Sequence, residues 1–313
     1  MHPGACDLRK TAEDFLFKGE RNTIAESEAM SKEYAGMPIF RTPVLVGISA
    51  ASDPLYPRLR DKSVIGNFHC LPSDWVSGAE SVISIFLPFS NEVCTDNSKD
   101  ISTFSYGWMH ARNEGQTLLN AVGVRVKEKI EALGGIAVIP SLDSRFRYTL
   151  PDTRLGETHV NSVWSERHIA FISGLGTFGL STCLITKEGT AGRFISIVTD
   201  LKLEPTPREY TDIYEYCIRC GLCLKNCPVN AIYGTKSDTE MTGIKPCTGS
   251  AGNAGNTAEA EYGVSLKDIQ KCSDYVDLSE EMYYPRYGCG KCQVKVPCMN
   301  RIPKKTDEST KEE

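Results

Sequence analysis

The fold of this chain is decided by the stretch Cys217-Ile-Arg-Cys220-Gly-Leu-Cys223-Leu-Lys-Asn-Cys227-Pro228. Its spacing, C-x2-C-x2-C-x3-C-P, places three thiolates around one iron–sulfur cube and sends the fourth to a second cube. A zinc site or a disulfide framework is the alternative, but zinc sites more often use two separated C-x2-C pairs. The spacing therefore predicts a protein that handles electrons.

A second, altered cysteine motif follows the first. Cys289-Gly-Lys-Cys292-Gln-Val-Lys-Val-Pro-Cys298 resembles the end of such a motif, but its last cysteine comes late and follows the proline. Because two-cluster ferredoxin modules exchange their last cysteines, we expect two 4Fe–4S clusters with exchanged ligands. The first set of ligands is Cys217, Cys220, Cys223 and Cys298, and the second set is Cys227, Cys272, Cys289 and Cys292.

One ligand of the second set has a competitor. Cys272 lies in a helix-like segment and is closer in sequence to Cys289, whereas Cys247 lies in a stretch rich in glycine and asparagine. That stretch has the composition of a surface loop, so Cys247 is interpreted as a spare thiol. The sequence does not decide between the two cysteines.

Size and composition narrow the class of protein. The chain has 313 residues, enough for about two domains, and a net charge of -5, which gives no reason to expect binding to nucleic acid. Four of its 13 cysteines precede residue 206 and nine follow it, unlike a secreted disulfide scaffold. The N-terminus lacks the apolar region of a signal peptide, and no apolar run reaches membrane-spanning length. We therefore expect a cytoplasmic protein that does not contact a membrane.

The pattern of apolar residues predicts an α+β fold with two domains. Strands are predicted at residues 43–48, 81–87, 136–140 and 194–198, and helices at residues 11–32 and 115–133. This mixture favours a central sheet covered by helices. Two prolines near residues 203–207 suggest a boundary, so we expect an α/β domain at residues 1–205, a cysteine-rich domain at 206–303 and a disordered tail at 304–313.

A glycine-rich segment precedes the cysteine motifs. Gly174-Leu-Gly176-Thr-Phe-Gly179 formally matches G-x-G-x-x-G, but a dinucleotide fingerprint needs a strand before it and a helix after it. Here residues 162–173 have a helical pattern, and residues 180–186 are rich in β-forming residues. A tight turn without any wider role is a second interpretation.

A third interpretation comes from a family resemblance. Residues 163–182, residues 194–201 and the double cysteine motif together resemble the epoxyqueuosine reductases, which are related to the corrinoid reductive dehalogenases. The resemblance implies a nitroreductase-like α/β domain that binds cobalamin with its lower base detached, followed by a bacterial ferredoxin-like domain with two 4Fe–4S clusters. It also implies that five residues line the cofactor's nucleotide tail: Gly174, Gly176, Gly179, Ser181 and Thr182.

The chain departs from this family at the proton donor. The family's Asp-Thr pair falls on Val160-Asn161, so the aspartate is missing. The adjacent His159 is our candidate for the catalytic acid, because a histidine with a near-neutral pKa suits this role, although a structural hydrogen bond is the alternative. Other groups that could supply the proton after folding are Asp152, Glu157, Tyr106 and His110.

Two further departures concern partners. The helical-repeat extension that longer epoxyqueuosine reductases use for tRNA is not found, so tRNA is not an expected partner. The twin-arginine signal typical of exported dehalogenases is also not found.

Residues 106–112 form an aromatic and basic group that could line a substrate pocket or serve ordinary packing.

The resemblance, with these departures, suggests a divergent paralogue. We expect a cobalamin-dependent iron–sulfur oxidoreductase that takes electrons from a ferredoxin or flavodoxin and reduces a small-molecule substrate. A non-catalytic electron-transfer protein that delivers electrons to a partner redox protein, such as a corrinoid protein, is the alternative, and the missing aspartate favours it. A flavin-binding reductase on the same fold is a third possibility.

Overall fold

The computed structural model of the chain describes residues 4–18, 20–149, 161–233 and 267–304. His159, Asp152, Glu157, Cys247 and most of the tail predicted at residues 304–313 therefore lie outside the described residues. The helices are α1 Ala5–Phe17, α2 Leu55–Arg58, α3 Pro72–Trp75, α4 Asn91–Lys99, α5 Tyr106–Glu131, α6 Glu166–Ile172, α7 Leu222–Lys225 and α8 Ile269–Tyr283. The strands are β1 Leu45–Ala50, β2 Ser81–Pro88, β3 Ala137–Val138, β4 Tyr148–Thr149, β5 Asn161–Ser162, β6 Gly176–Phe178, β7 Leu184–Thr186 and β8 Gly192–Thr199.

The central sheet has four antiparallel strands in the order β1-β2-β8-β3. In its register, Ile83 of β2 lies between Ile48 of β1 and Ile197 of β8. Two small sheets, β4-β5 and β6-β7, lie outside it. The continuous apolar runs at residues 43–48, 81–87 and 194–198 fall on β1, β2 and β8, as their β-branched residues predict.

Helices cover both faces of this sheet. Every residue of β2 is buried, which requires apolar partners on each side. Ile83 and Ile85 pack with Leu8 of α1 and Leu119 of α5, whereas Val82 packs with Trp164 on the opposite face. The predicted α+β class is confirmed at this coarse level, and the nitroreductase-like assignment stays a prediction.

Two helix boundaries differ from the sequence prediction. Helix α1 ends at Phe17, whereas the prediction continued to residue 32, because only Leu8, Ala12 and Leu16 form a buried stripe. Helix α5 begins at Tyr106, well before the predicted start at residue 115. Its start is fixed by Ser105, whose hydroxyl accepts a hydrogen bond from the Trp108 amide at 3.0 Å.

The cysteine-rich part packs directly against the α/β part. The Thr190 amide donates to the Cys298 carbonyl at 2.9 Å, and the Asn97 side chain donates to the Cys289 carbonyl at 3.0 Å. The buried Lys291 ammonium donates to the Asn97 side-chain oxygen at 2.7 Å and to the Asp100 carbonyl at 2.7 Å. These contacts hold the cysteine motifs against α4 and β8, and the division into two domains stays a prediction.

None of the helices in the described ranges combines the length and the apolar character that crossing a bilayer requires.

Candidate iron–sulfur and cofactor site

The four thiols of the first set line one small cavity at the start of α7. The chain turns sharply there because Arg219 and Gly221 adopt left-handed φ angles of 55° and 72°. Burial raises the pKa of Cys223 well above its usual range, and the nearby Cys298 thiol raises it further. The structure therefore brings Cys298 to the first motif, as the exchange of ligands predicts, while ligation itself stays a prediction.

The four thiols of the second set line a different, larger cavity of about 630 Å³. Cys272 reaches it from α8, whose first turn is capped by Asp268, which accepts from the Lys271 amide at 2.9 Å. Burial raises the pKa of Cys289 to about 11. Within the described ranges, Cys272 therefore occupies the place predicted for it.

The thiols surround these cavities without meeting at a point. Within the described ranges, no three His, Cys, Asp or Glu side chains converge as the ligands of a single metal ion would. In a 4Fe–4S cube each thiolate binds a different iron atom, so a ring of thiols around a cavity is the arrangement a cluster uses.

Cys183 is a ninth thiol near both sets, and no motif in the sequence predicts a role for it. Cys183 is buried, lines the larger cavity and lies close enough to Cys292 of the second set for the two thiols to shift each other's pKa. It also lies close enough to Cys223 and Cys298 of the first set to raise their pKa values, although burial is the main cause for both. No motif spacing could have identified it, because the contact is long-range in sequence.

The rest of the larger cavity contains polar atoms without partners. In the described part of the chain, four residues that line it carry buried side-chain oxygen or nitrogen atoms with no hydrogen bond: Arg112, Ser141, Glu166 and Thr190. Each such atom costs roughly 1–3 kcal/mol unless a ligand or water pairs with it. Burial raises the pKa of Glu166 to about 7. The cavity is therefore suited to a ligand with several polar groups.

The glycine-rich segment lies beside the first set of thiols. It forms the turn from α6 into β6 and onwards to β7, so the strand–turn–helix context of a dinucleotide site is not present there. Gly174 has a φ of 81°, and a Cβ at Gly176 would overlap the Ile185 carbonyl of the paired strand. Backbone geometry alone therefore accounts for these two glycines.

The remaining predicted tail-binding residues, Gly179, Ser181 and Thr182, do not line the larger cavity. Gly179 and Ser181 line the small cavity of the first set, and the Thr182 carbonyl accepts from Arg167 at 2.6 Å. A contact between any of the five residues and a cofactor tail stays a prediction.

Some residues of the aromatic and basic group at residues 106–112 line the larger cavity, and others make buried hydrogen bonds elsewhere. Trp108 and Arg112 line the larger cavity. His110 is buried, and its Nε2 accepts from the Met30 amide at 3.1 Å, while its Nδ1 lies 3.0 Å from the Glu114 carboxylate. Neither His110 nor Tyr106 lines that cavity, whereas the carboxyl group of Glu166 does; the identity of the proton donor stays a prediction.

Known proteins resemble parts of this sequence. Residues 210–233 match the family described as the 4Fe-4S binding domain. The epoxyqueuosine reductase of Francisella cf. novicida (strain Fx1) is 24% identical over 258 residues, which are 78% of this chain and 59% of that protein. The chain therefore spans less than two thirds of the length of this relative.

Solved structures give a similar result for the fold. An N-terminally tagged catabolic reductive dehalogenase matches with a TM-score of 0.51 at 14% identity, covering 97% of this chain and 39% of the dehalogenase. The epoxyqueuosine reductase from Streptococcus thermophilus matches with a TM-score of 0.42 at 18% identity, over 81% of this chain and 62% of that protein. The chain is similar in sequence to an epoxyqueuosine reductase and in fold to a reductive dehalogenase, and residues 210–233 match a 4Fe-4S binding domain, so the predicted resemblance is confirmed at this level.

Proposed function

We propose that this protein is an iron–sulfur oxidoreductase in which two 4Fe–4S clusters pass electrons to a base-off corrinoid for the reduction of a small substrate. The observation that carries the proposal is that the second set of thiols opens into the same cavity as the unpaired polar side chains. A cluster held there would lie beside any ligand in the cavity.

The positions of the cysteines suggest the order in which electrons pass through the two clusters. Cys223 lies within α7 and Cys227 follows it, and Cys292 and Cys298 lie on one short segment, so the two cavities are neighbours. The first set does not line the larger cavity, whereas the second set does. Electrons would therefore enter through the first cluster, from a ferredoxin or flavodoxin, and leave through the second.

The residues present fit a corrinoid. Its amide side chains offer both hydrogen-bond donors and acceptors, which the unpaired atoms of Arg112, Ser141, Glu166 and Thr190 would satisfy. When bound, the cofactor would supply a low-potential cobalt centre, while the protein supplies placement, cluster tuning and protons.

Proton delivery is assigned to Glu166 in this proposal. Desolvation opposes the charged carboxylate and raises its pKa to about 7, so part of the population carries a proton at neutral pH. A carboxylic acid in this state can donate to a substrate in the cavity. His159 stays a second candidate.

Anaerobic reconstitution with iron, sulfide and hydroxocobalamin, followed by desalting, tests the proposal. We expect about eight irons and one cobalt per chain. Full iron without cobalt would contradict the corrinoid and leave the non-catalytic electron carrier as the better account.

A further inference from the structure

Two arginine side chains line the larger cavity without a carboxylate partner. Arg112 comes from α5 and Arg193 from the start of β8. Neither forms an ion pair with another described residue, whereas Arg41 and Arg208, which are also partly buried, pair with Glu188 and Asp53. Uncompensated guanidinium groups in a cavity are unfavourable unless an anion joins them.

Arg193 is held in place by neutral groups only. Its Nε donates to the Gln116 carbonyl oxygen at 2.9 Å, and its Nη2 donates to the same oxygen. The Gln116 amide in turn donates to Asn120 at 2.7 Å. Among the described residues Nη1 has no partner. Burial and the nearby charge of Arg112 lower the pKa of Arg193 to about 9.

Arg112 has even fewer polar contacts. Its Nε is buried without a partner, and none of its guanidinium nitrogens donates a hydrogen bond to a described residue. The guanidinium lies 4.6 Å from the centre of the Tyr287 ring, which fixes its plane without neutralising its charge. A Cβ at Gly288 would lie 2.8 Å from the Arg112 side chain, so Arg112 packs beside the chain that leads to Cys289.

We propose that Arg112 and Arg193 form a binding site for a carboxylate or phosphate group of a ligand in the larger cavity. Guanidinium groups bind such planar or tetrahedral anions through paired hydrogen bonds, and here they would do so next to the second set of thiols. This proposal rests on the proposed function for the role of the ligand. It adds that the small substrate is an organic anion.

The same anionic chemistry has a second possible source, the phosphodiester of the corrinoid's nucleotide tail. Cobinamide lacks this phosphodiester, whereas cobalamin carries it. Comparing the two corrinoids therefore separates the tail from a substrate.

The first experiment uses the full chain with its clusters reconstituted and no corrinoid added. Calorimetric titration with benzoate and with inorganic phosphate, at fixed ionic strength, measures anion binding to wild type, Arg112→Gln and Arg193→Gln. We expect each variant to bind about 10- to 100-fold more weakly. The matched control is Arg125→Gln, on the exposed face of α5, where Arg125 pairs with Glu128; it should bind like wild type.

The second experiment compares cobalamin and cobinamide with the same proteins. If the two variants bind cobalamin more weakly than wild type but bind cobinamide and the free anions equally well, the site binds the nucleotide tail. If they bind the free anions more weakly, the site binds the substrate. The site is disproved if Arg112→Gln and Arg193→Gln, with iron content equal to wild type, bind every probe as wild type does. If wild type takes up no corrinoid, the proposed function fails, and the anion titration alone decides on this site.

Discussion

The Cys183 and Cys292 thiols lie close together in the wall of the larger cavity, where their interaction lowers the pKa of Cys183 and raises the pKa of Cys292. In the cluster-loaded protein, the Cys183 thiol would be near enough to donate a hydrogen bond to the sulfur of Cys292 as a cluster ligand. Hydrogen bonds to cluster sulfur atoms stabilise the reduced state and raise the reduction potential.

Replacing Cys183 by alanine should lower the reduction potential of the second cluster without loss of iron. Cys183→Ser, which keeps a donor, should stay closer to wild type. Redox titration followed by electron paramagnetic resonance measures the potential, with Cys94→Ala, on the buried face of α4, as the control. Loss of a whole cluster from Cys183→Ala would show that Cys183 is a ligand and not a tuning residue.

Cys272→Ala should lose the second cluster, which is about four of eight irons, because Cys272 lines the larger cavity together with the three other thiols of the second set. Cys247→Ala should keep all of its iron. Iron and sulfide analysis after anaerobic reconstitution distinguishes the two variants. Full iron in Cys272→Ala would overturn the assignment of the second set.

Gly290→Ala should destabilise the fold around the second set. Gly290 has a φ of 64°, and a Cβ there would overlap the Trp108 indole. Overpacking of this kind typically costs about 1–3 kcal/mol, in addition to the strain of a left-handed backbone. The control is Gly78→Ala, where φ is 74° but no atom lies within 4 Å of the new Cβ. Thermal unfolding should show a larger decrease in Tm for Gly290→Ala than for Gly78→Ala; equal decreases would show that the contact with Trp108 is unimportant.

Glu166 should make the stability of the cluster-free protein depend on pH. Burial raises the pKa of Glu166 from 4.5 to about 7 in the folded state, so its contribution is fully present below pH 4.5 and is lost as pH rises through 7. At about 1.4 kcal/mol per pKa unit, the loss is on the order of 3 kcal/mol.

Urea unfolding between pH 5 and pH 8 measures this effect. The free energy of unfolding should fall with pH in wild type and in the control Glu80→Gln, an exposed position, and should fall less in Glu166→Gln. Parallel pH profiles for wild type and Glu166→Gln would contradict the raised pKa.

Most of the features that the sequence predicts correctly depend on residues close together in the chain. The motif at residues 217–228 specifies its own turn, and the apolar runs of β2 and β8 are long enough to identify buried strands. The predicted start of α5 at residue 115 is too late because the apolar repeat that predicts this helix begins at Leu119, whereas its first turns are buried continuously at residues 107–111 and show no such repeat.

Sequence patterns and motif spacing do not predict contacts between residues that are far apart in the chain. Cys183 comes near Cys292, and Arg112 comes near Arg193, only after α5, β8 and the cysteine motifs have packed together. The unpaired carboxylate of Glu166 has the same origin, since a glutamate in the first turn of a helix ordinarily faces solvent.

The most direct test of the account is the electron paramagnetic resonance spectrum of cobalt(II) in the reconstituted protein, recorded with the clusters oxidised and then reduced. We expect a spectrum without splitting from an axial nitrogen, broadened when the second cluster is reduced, and no broadening in Cys272→Ala. Axial nitrogen splitting, or a spectrum that does not change when the clusters are reduced, would contradict a base-off corrinoid beside the second set of thiols.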